Sequence, residues 1–308
     1  MTSSVEGTPR PNGQGLTGAQ PEARHPSSGH VPSRPAGARS VARPQRSVPT
    51  SADPPAATNA DAPTPHRQKP LVPLLAESPA AMVSFAFGCP SFEDLARLKR
   101  SNSEVWVTVT TVDEARQAED VGADCLVVQG SEAGGHRGGF TDDHDGLGLL
   151  ALVQLVRTAT SVPLIATGGI MTGAGLAAAL AAGARAGALG TAFLRCPEAG
   201  TSSAHQEALA RDDRPTAFTR AFTGRLGRGI RNRFLDEHTA AAPTAYPQVH
   251  HLTAPLRAYG RSIGDADLIN LWAGQAYTLA SDLPAEEIVH RVATEARTAL
   301  EAARQLLG

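Results

Sequence analysis

Between residues 71 and 190, short apolar runs alternate with longer stretches in which apolar side chains recur every three or four residues. The short runs are typical of buried strands, and the longer spacing is typical of amphipathic helices. Regular alternation of the two predicts parallel βα units, because a parallel crossover needs a helix. The predicted strands cover residues 81–87, 105–110, 125–129, 163–167 and 186–190.

Amphipathic patterns between and after these strands predict the helices. Thr111 and Asp113 are alternative N-caps for the second of them. A final helix is predicted over residues 284–307, with Ile288, Val289, Val292, Ala296 and Leu300 as its apolar stripe. Residues from about 200 to 260 lack a regular pattern and read as a loop-rich insertion. The other predicted helices cover residues 91–100, 111–122, 147–160 and 173–184.

The first 70 residues have a different composition from the rest. They hold 13 of the 23 prolines, contain no Phe, Trp, Tyr or Ile, and have Leu16 as their only leucine. Eight basic and four acidic side chains give this segment a charge of +4. Such a segment cannot bury enough apolar surface to offset its ordering entropy, so residues 1–70 are predicted to be a disordered tail. A solvated tail and an interaction arm both remain open.

Charge and cysteine usage narrow the function classes. The net charge of −2 favours neither a nucleic-acid nor a membrane partner. The three cysteines lie far apart without a CxxC pair, which argues against a disulfide framework or a zinc site and for a reducing compartment. Apolar runs stay shorter than the roughly 18 residues that span a bilayer. We therefore expect a cytoplasmic protein without a metal.

Glycine-rich segments follow three of the predicted strands: QGSEAGG after residues 125–129, GGI after 163–167 and GT after 186–190. Ligands of parallel α/β folds bind at the carboxyl ends of the strands. Glycine lets backbone N–H groups approach an anion closely, and a helix N-terminus favours phosphate. The pattern indicates a phosphate-bearing ligand, and ordinary tight βα turns are the alternative.

The motifs LVVQGSEAGGHRG, IATGGIMTGAGLAAALAAGA and LGTAFL resemble, in order and spacing, those of nitronate monooxygenases, formerly called 2-nitropropane dioxygenases. The segments VSFAFGCP, FTGRLGRGIRN, YPQVHHLTAPLR and GDADLINLWAGQA extend the resemblance from about Leu71 to the C-terminus. The resemblance implies an α/β fold of the (β/α)8 TIM-barrel type. It also implies an FMN-dependent flavoprotein that oxidises a small nitronate or nitroalkane with oxygen. Assembly as a homo-oligomer is left open.

The resemblance also assigns roles to residues. It implies that Gln129 contacts the flavin by its side chain and Gly134 by its backbone. His136 is implied to be the general base, and an imidazole with a pKa near roughly 6.5 can take a proton near neutral pH. The residues implied to hold the phosphate region of FMN are Gly169, Ala188, Leu189, Gly190 and Thr191.

Polar neighbours of these motifs have less certain roles. Glu132 is either an orienting group or a plain loop acid. Arg137 is expected to be a solvated side chain, and contact with an anionic ligand is the alternative. His144 is expected to be exposed. His250 and His251 lack metal-ligand spacing. Gln275 either approaches the ligand or packs a helix.

Departures from the family concern the barrel itself. About five βα units are recognisable where a closed barrel has eight strands, and the family's opening strands and flavin-contacting Asn have no counterpart. Ala86 and Ala188 stand where the family commonly has His and Gln. Residues 71–308 are therefore predicted to form a partial FMN-binding barrel, either truncated or completed by another chain. Alternative functions are an FMN-dependent enoyl-acyl-carrier-protein reductase and a catalytically inactive fragment.

Overall fold

The five apolar runs form one parallel sheet in the computed structural model, which describes residues 71–143 and 146–307. Neighbouring strands follow one another in chain order, which confirms the predicted α/β class with parallel βα units. Phe87 has a φ of 70°, a left-handed conformation that ends the first strand earlier than predicted. The strands are β1 (Met82–Phe85), β2 (Glu104–Val109), β3 (Cys125–Gln129), β5 (Leu164–Thr167) and β6 (Ala186–Ala188).

The predicted helices lie between these strands. Ser91 and Thr111 cap α2 and α3, accepting hydrogen bonds from the backbone N–H groups of Asp94 and Glu114. Thr111, rather than Asp113, is therefore the N-cap of α3. The helices are α1 (Leu71–Glu77), α2 (Phe92–Arg100), α3 (Val112–Val121), α4 (Leu149–Ala159), α5 (Gly173–Ala181), α6 (Ser203–Arg211), α7 (Arg233–His238), α8 (Gln248–Ile263) and α9 (Ala285–Leu307).

One face of the parallel sheet carries most of the hydrophobic core. In β2 the side chains of Val105, Val107 and Val109 are fully buried, whereas Trp106 between them is only partly buried. The alternation shows that helices cover one face and that the opposite face is partly open. Among the described residues, β1 and β6 each pair with one neighbour, so the five-stranded sheet is open.

A second, antiparallel sheet lies beyond the carboxyl ends of the parallel strands. It contains β4 (Gly135–His136), β8 (Gly227–Ile230) and β7 (Thr216–Thr219), in that order. His136 pairs with Gly227, so the residue is held by a short strand and not by an irregular loop. Within residues 200–260 the structure also contains α6, α7 and most of α8.

The C-terminal helix α9 buries only part of the predicted apolar stripe. Ile288, Val292 and Ala296 are buried, but Val289 is 55% and Leu300 is 40% exposed. The helix packs closely on the N-terminus of α5, where a Cβ at Gly173 would lie 2.2 Å from the Cβ of Glu295. α9 is therefore buried along Ile288, Val292 and Ala296, and the prediction that Val289 and Leu300 share this apolar stripe is wrong.

Two predictions fall outside the part of the chain that the structure describes: the tail over residues 1–70 and the exposure of His144. Between residues 71 and 307, leaving out 144 and 145, no helix combines the length and the apolar character needed to cross a bilayer.

Candidate functional site

The carboxyl ends of β3, β5 and β6 form the floor of a cleft of about 450 Å³. Gln129 is the register partner of Thr167, and Thr167 is the partner of Ala188, so three strand ends meet at one level. We call this space the glycine cleft. Its lining residues are Gln129, Ala133, Gly134, Thr167, Gly168, Gly169, Ile170, Met171, Ala188, Leu189, Gly190, Thr191, Gly274 and Ala276.

The structure brings together all the residues that the sequence analysis assigned to a cofactor. Each of them lines the glycine cleft, although they come from three separate turns of the chain. The side chain of His136 does not line the cleft. The assigned cleft residues are Gln129, Gly134, Gly169, Ala188, Leu189, Gly190 and Thr191.

The glycines of the cleft serve three different purposes. A Cβ at Gly134 would lie 2.4 Å from the backbone carbon of Ala273, so this glycine allows two chain segments to touch. Gly169 has a φ of 72°, which a side chain rarely tolerates. Gly190 differs from both, because a Cβ there would meet no protein atom within 4 Å. The absence of a side chain at Gly190 therefore leaves open space in the cleft and does not serve a packing contact.

The cleft can take an anionic group through neutral donors. None of its lining residues is charged. The Thr191 hydroxyl accepts from the Gly274 N–H at 3.0 Å, so its own proton can be donated to a ligand. The N-terminus of α5 is already occupied, because Thr172 accepts from Gly175 N–H and Glu295 accepts from Gly173 N–H. A phosphate would therefore be held by the glycine turns and Thr191, not by the first turn of α5.

The carboxamide of Gln129 connects the cleft to the strand that carries His136. Its Nε2 donates to the His136 carbonyl at 3.1 Å, and its Oε1 accepts from the Gly138 N–H at 2.8 Å. Both ends of the amide are used, so the side chain has a single orientation. Gln129 thus holds β4 beside the glycine cleft.

The imidazole of His136 lies among aromatic rings and one hydroxyl. Its Nε2 is 2.8 Å from the Thr223 Oγ1. Its ring centroid lies 5.3 Å from that of Tyr246, 5.6 Å from that of Trp272 and 6.1 Å from that of Phe87. These contacts fix the ring without placing a carboxylate against it.

The surroundings lower the pKa of His136 from 6.5 to about 4. Burial is the largest cause, followed by the positive charges of Arg225 and His250, and the charge of Asp142 opposes them. The imidazole is therefore neutral at neutral pH and able to accept a proton. It is a weaker base than the unperturbed imidazole assumed in the sequence analysis.

Two polar neighbours differ from their predictions. Glu132 accepts from the backbone N–H of Leu149 at 2.9 Å, which caps α4 where its N-cap Gly148 has no side chain. Glu132 is thus neither a plain loop acid nor in hydrogen-bond contact with His136. The prediction of a solvated Arg137 is wrong, because its side chain is only 4% exposed. Arg137 directly follows the short strand β4, and its backbone N–H donates to the Leu226 carbonyl at 2.9 Å.

The remaining candidates lie around the site. Gln275 does not line the glycine cleft, and its backbone N–H donates to the Glu132 carbonyl at 2.9 Å. His250 lies 3.3 Å from the Arg257 guanidinium through its Nδ1. Within residues 71–143 and 146–307, no cluster of three or more His, Cys, Asp or Glu side chains could bind a metal ion.

The sequence analysis missed the residues that surround His136. Thr223, Tyr246 and Trp272 come from three distant segments, and only the fold brings them to the imidazole. Each segment carried a motif of the resemblance, FTGRLGRGIRN, YPQVHHLTAPLR or GDADLINLWAGQA. The motifs indicated that the segments matter, but no spacing rule assigned a role to these three side chains.

The sequence is similar to those of a family of known proteins. The sequence model of a family described as nitronate monooxygenase matches residues 52–295. Nitronate monooxygenases from Paraburkholderia phytofirmans and Pseudomonas aeruginosa are each 42% identical, over 76% and 74% of this chain and 66% of each relative. The chain thus spans just under two thirds of the length of these relatives.

Solved structures show the same likeness. Nitroalkane oxidase from Streptomyces ansochromogenes is 47% identical, with a TM-score of 0.73 over 75% of this chain and 68% of that one. FabK from Thermotoga maritima is 26% identical, with a TM-score of 0.65 over 77% of this chain and 74% of that one. On the family match and these relatives, the chain belongs to the nitronate monooxygenase family.

Proposed function

We propose that this chain binds FMN in the glycine cleft and oxidises nitronates or nitroalkanes with oxygen, with His136 as the general base. The observation that carries the proposal is the coupling through Gln129. This residue lines the cleft and also donates to the His136 carbonyl, so the cofactor site and the proton acceptor share one structural element. The names of the family and of its relatives support the substrate class.

The cleft suits FMN on physical grounds. Gly190 leaves space where a Cβ would otherwise stand, and Gly169 adopts a left-handed conformation in the turn that follows β5. Backbone N–H groups in such turns are typical partners of phosphate. The hydroxyl of Thr191 adds one side-chain donor. When bound, the isoalloxazine supplies the redox chemistry by accepting electrons from the substrate and passing them to oxygen.

His136 has the protonation state that the reaction needs. A nitroalkane must lose a proton from carbon before it can be oxidised, and a neutral imidazole can take that proton. Burial keeps the pKa of His136 at about 4, so the ring is neutral throughout the neutral pH range. A substrate that is already a nitronate needs no such step.

The charges near His136 favour the deprotonated substrate. The positive charges of Arg225 and Arg257 lower the pKa of His136, and the negative charge of Asp142 raises it. The same positive potential attracts an anion and stabilises the negative charge that develops as a nitroalkane loses its proton. The site therefore favours nitronates over neutral nitro compounds in binding.

A direct experiment uses the purified full chain. After incubation with FMN and removal of unbound flavin, we expect a flavin absorbance spectrum. Oxygen uptake should follow addition of propionate 3-nitronate. A protein that stays colourless after this incubation would overturn the proposal, and flavin binding without oxygen uptake would indicate an inactive fragment. NADH oxidation with an enoyl thioester, in place of nitronate oxidation, would indicate an enoyl reductase.

A further inference from the structure

The hydroxyl of Thr223 contacts the imidazole of His136, and Thr223 is buried. The side-chain oxygen lies 2.8 Å from His136 Nε2, and Thr223 is only 1% exposed. The same oxygen donates to the Arg225 carbonyl at 3.1 Å and lies 3.4 Å from the Arg225 N–H. Three polar groups therefore surround one buried hydroxyl.

Hydrogen-bond accounting assigns the proton between these groups. A hydroxyl has one proton to donate, and a carbonyl oxygen can only accept. Giving the Thr223 proton to the Arg225 carbonyl satisfies both contacts, because the contact with His136 is then filled by a proton on Nε2. The neutral ring then carries its hydrogen on Nε2, and Nδ1 keeps the free lone pair.

The backbone around Thr223 holds its side chain in place. The N–H groups of Thr223 and Gly224 both donate to the Arg220 carbonyl, at 3.1 and 2.7 Å, and form a tight turn. Gly224 has a φ of 79°, and a Cβ there would lie 2.3 Å from the Ala245 carbonyl oxygen. These backbone contacts hold the Thr223 side-chain oxygen beside His136.

The acceptor of the hydroxyl is held equally firmly. The Arg225 side chain donates to the carbonyls of Arg137 and Gly139, and its guanidinium carbon lies 4.0 Å from the centre of the Phe87 ring. The carbonyl of Arg225 therefore stays in place as the acceptor for Thr223.

We propose that Thr223 is a positioning residue that holds His136 as the Nε2–H tautomer, so that Nδ1 is the atom that accepts the substrate proton. The inference deepens the proposed function, since it rests on His136 being the base. Nδ1 has no hydrogen-bond partner among residues 71–143 and 146–307, which leaves it available to a substrate. Protonation at Nδ1 keeps both existing hydrogen bonds, so the hydroxyl need not turn during proton transfer.

The tautomer can be read directly by NMR of the full chain with ¹⁵N-labelled histidine. Long-range ¹H–¹⁵N correlation distinguishes a protonated ring nitrogen from an unprotonated one, and comparison with His136→Asn identifies the signals of His136. We expect a single Nε2–H tautomer at neutral pH. Finding the Nδ1–H tautomer would overturn the proposal, whatever the variants do.

Substitutions then test the role of Thr223. Thr223→Ser should keep the tautomer, and Thr223→Val should release it to a mixture of both forms. Thr219→Val is the matched control, because it removes another buried threonine hydroxyl that accepts from the Ala221 N–H and does not touch His136. An unchanged tautomer in folded Thr223→Val would contradict the proposal.

Kinetics of the flavin-loaded protein separate this inference from the proposed function. Loss of one buried hydrogen bond corresponds to about a tenfold lower kcat for a nitroalkane in Thr223→Val, and the loss with a preformed nitronate should be smaller because that substrate needs no proton abstraction. The NMR result needs neither flavin nor substrate. An Nε2–H tautomer in a chain without activity would overturn the proposed function alone, and an active chain with the Nδ1–H tautomer would overturn the role of Thr223 alone.

Discussion

The Gln129 carboxamide holds the main chain of His136, because the Gln129 Nε2 donates to the His136 carbonyl at 3.1 Å. The other end of the same amide accepts from the Gly138 N–H at 2.8 Å. One side chain at the end of β3 thus positions the strand β4 and forms part of the glycine cleft. Cofactor binding and placement of the base should therefore respond together to a change at this residue.

Gln129→Leu removes both hydrogen bonds at similar volume. We expect the free energy of unfolding to fall by about 1–3 kcal/mol, because the His136 carbonyl and the Gly138 N–H lose a partner. Urea denaturation measures this change. Gln154→Leu is the control, since that amide is exposed and donates only to the Leu150 carbonyl of its own helix. Equal stability of the two variants would contradict the positioning role of Gln129.

Two glycine substitutions distinguish a glycine that leaves room for a ligand from a glycine that allows close packing of the backbone. Gly190→Ala adds a methyl group that meets no protein atom within 4 Å, so stability should change little. If FMN occupies that space, its dissociation constant should rise by tenfold or more, an expectation based on about 1–3 kcal/mol for overpacking. Flavin fluorescence titration measures the binding.

Gly134→Ala should behave in the opposite way. Its Cβ would lie 2.4 Å from the Ala273 backbone carbon, so the backbone must shift and the protein should lose stability even without a ligand. Thermal unfolding of flavin-free Gly134→Ala and Gly190→Ala measures this difference in stability.

Full flavin affinity in Gly190→Ala would mean that the cofactor does not occupy the space beside that residue.

Acid should destabilise the fold through two partly buried histidines. Burial lowers the pKa of both His136 and His205 to about 4, whereas the unfolded chain has the ordinary value of 6.5. The unfolded chain therefore binds more protons between these values. The stability contribution is complete above pH 6.5 and declines toward pH 4, by up to about 1.4 kcal/mol per pH unit for each histidine.

Urea unfolding between pH 4.5 and 7 measures this dependence. His136→Asn and His205→Asn should each flatten the decline, and the double variant should flatten it further. Parallel pH curves for wild type and the His136→Asn variant would mean that the folded and unfolded chains protonate this ring alike.

The pH dependence of activity should also report the ionisation of His136. For a nitroalkane, kcat/KM reports the ionisation of the free enzyme and should stay level down to the region of pH 5. It should fall as His136 takes up a proton near its pKa of about 4. A fall centred near pH 6.5 would contradict the burial of His136 in the working enzyme.

Physical patterns explain which parts of this architecture the sequence predicts. The parallel strands were predictable because their apolar runs are dense, as in CLVVQ of β3, which has the predicted bounds. The strands β7 and β8 were not, because GRGI of β8 has no apolar alternation and pairs through its backbone. The glycine-rich turns predicted a ligand site at the strand ends, and the resemblance to the family implied which residues line it.

The surroundings of His136 depend on tertiary structure. Thr223 is separated from His136 by 87 positions in the chain, and no local pattern connects them. Arg137 illustrates the same limit, because a charged residue in a glycine-rich turn is usually solvated, yet this side chain, which follows the two-residue strand β4, is only 4% exposed. Local patterns thus predicted the strand ends that form the floor of the cleft. Contacts between distant segments of the chain determined the surroundings of His136.

The proton-abstraction role of His136 is tested most directly by one substitution and two substrates. Oxygen uptake of the flavin-loaded wild type and His136→Ala is compared with nitroethane and with its preformed nitronate. We expect His136→Ala to lose nitroethane turnover by at least about 100-fold, the usual contribution of a general base, while nitronate oxidation largely survives. An equal loss with both substrates, or full activity with nitroethane, would contradict the assignment of His136 as the base.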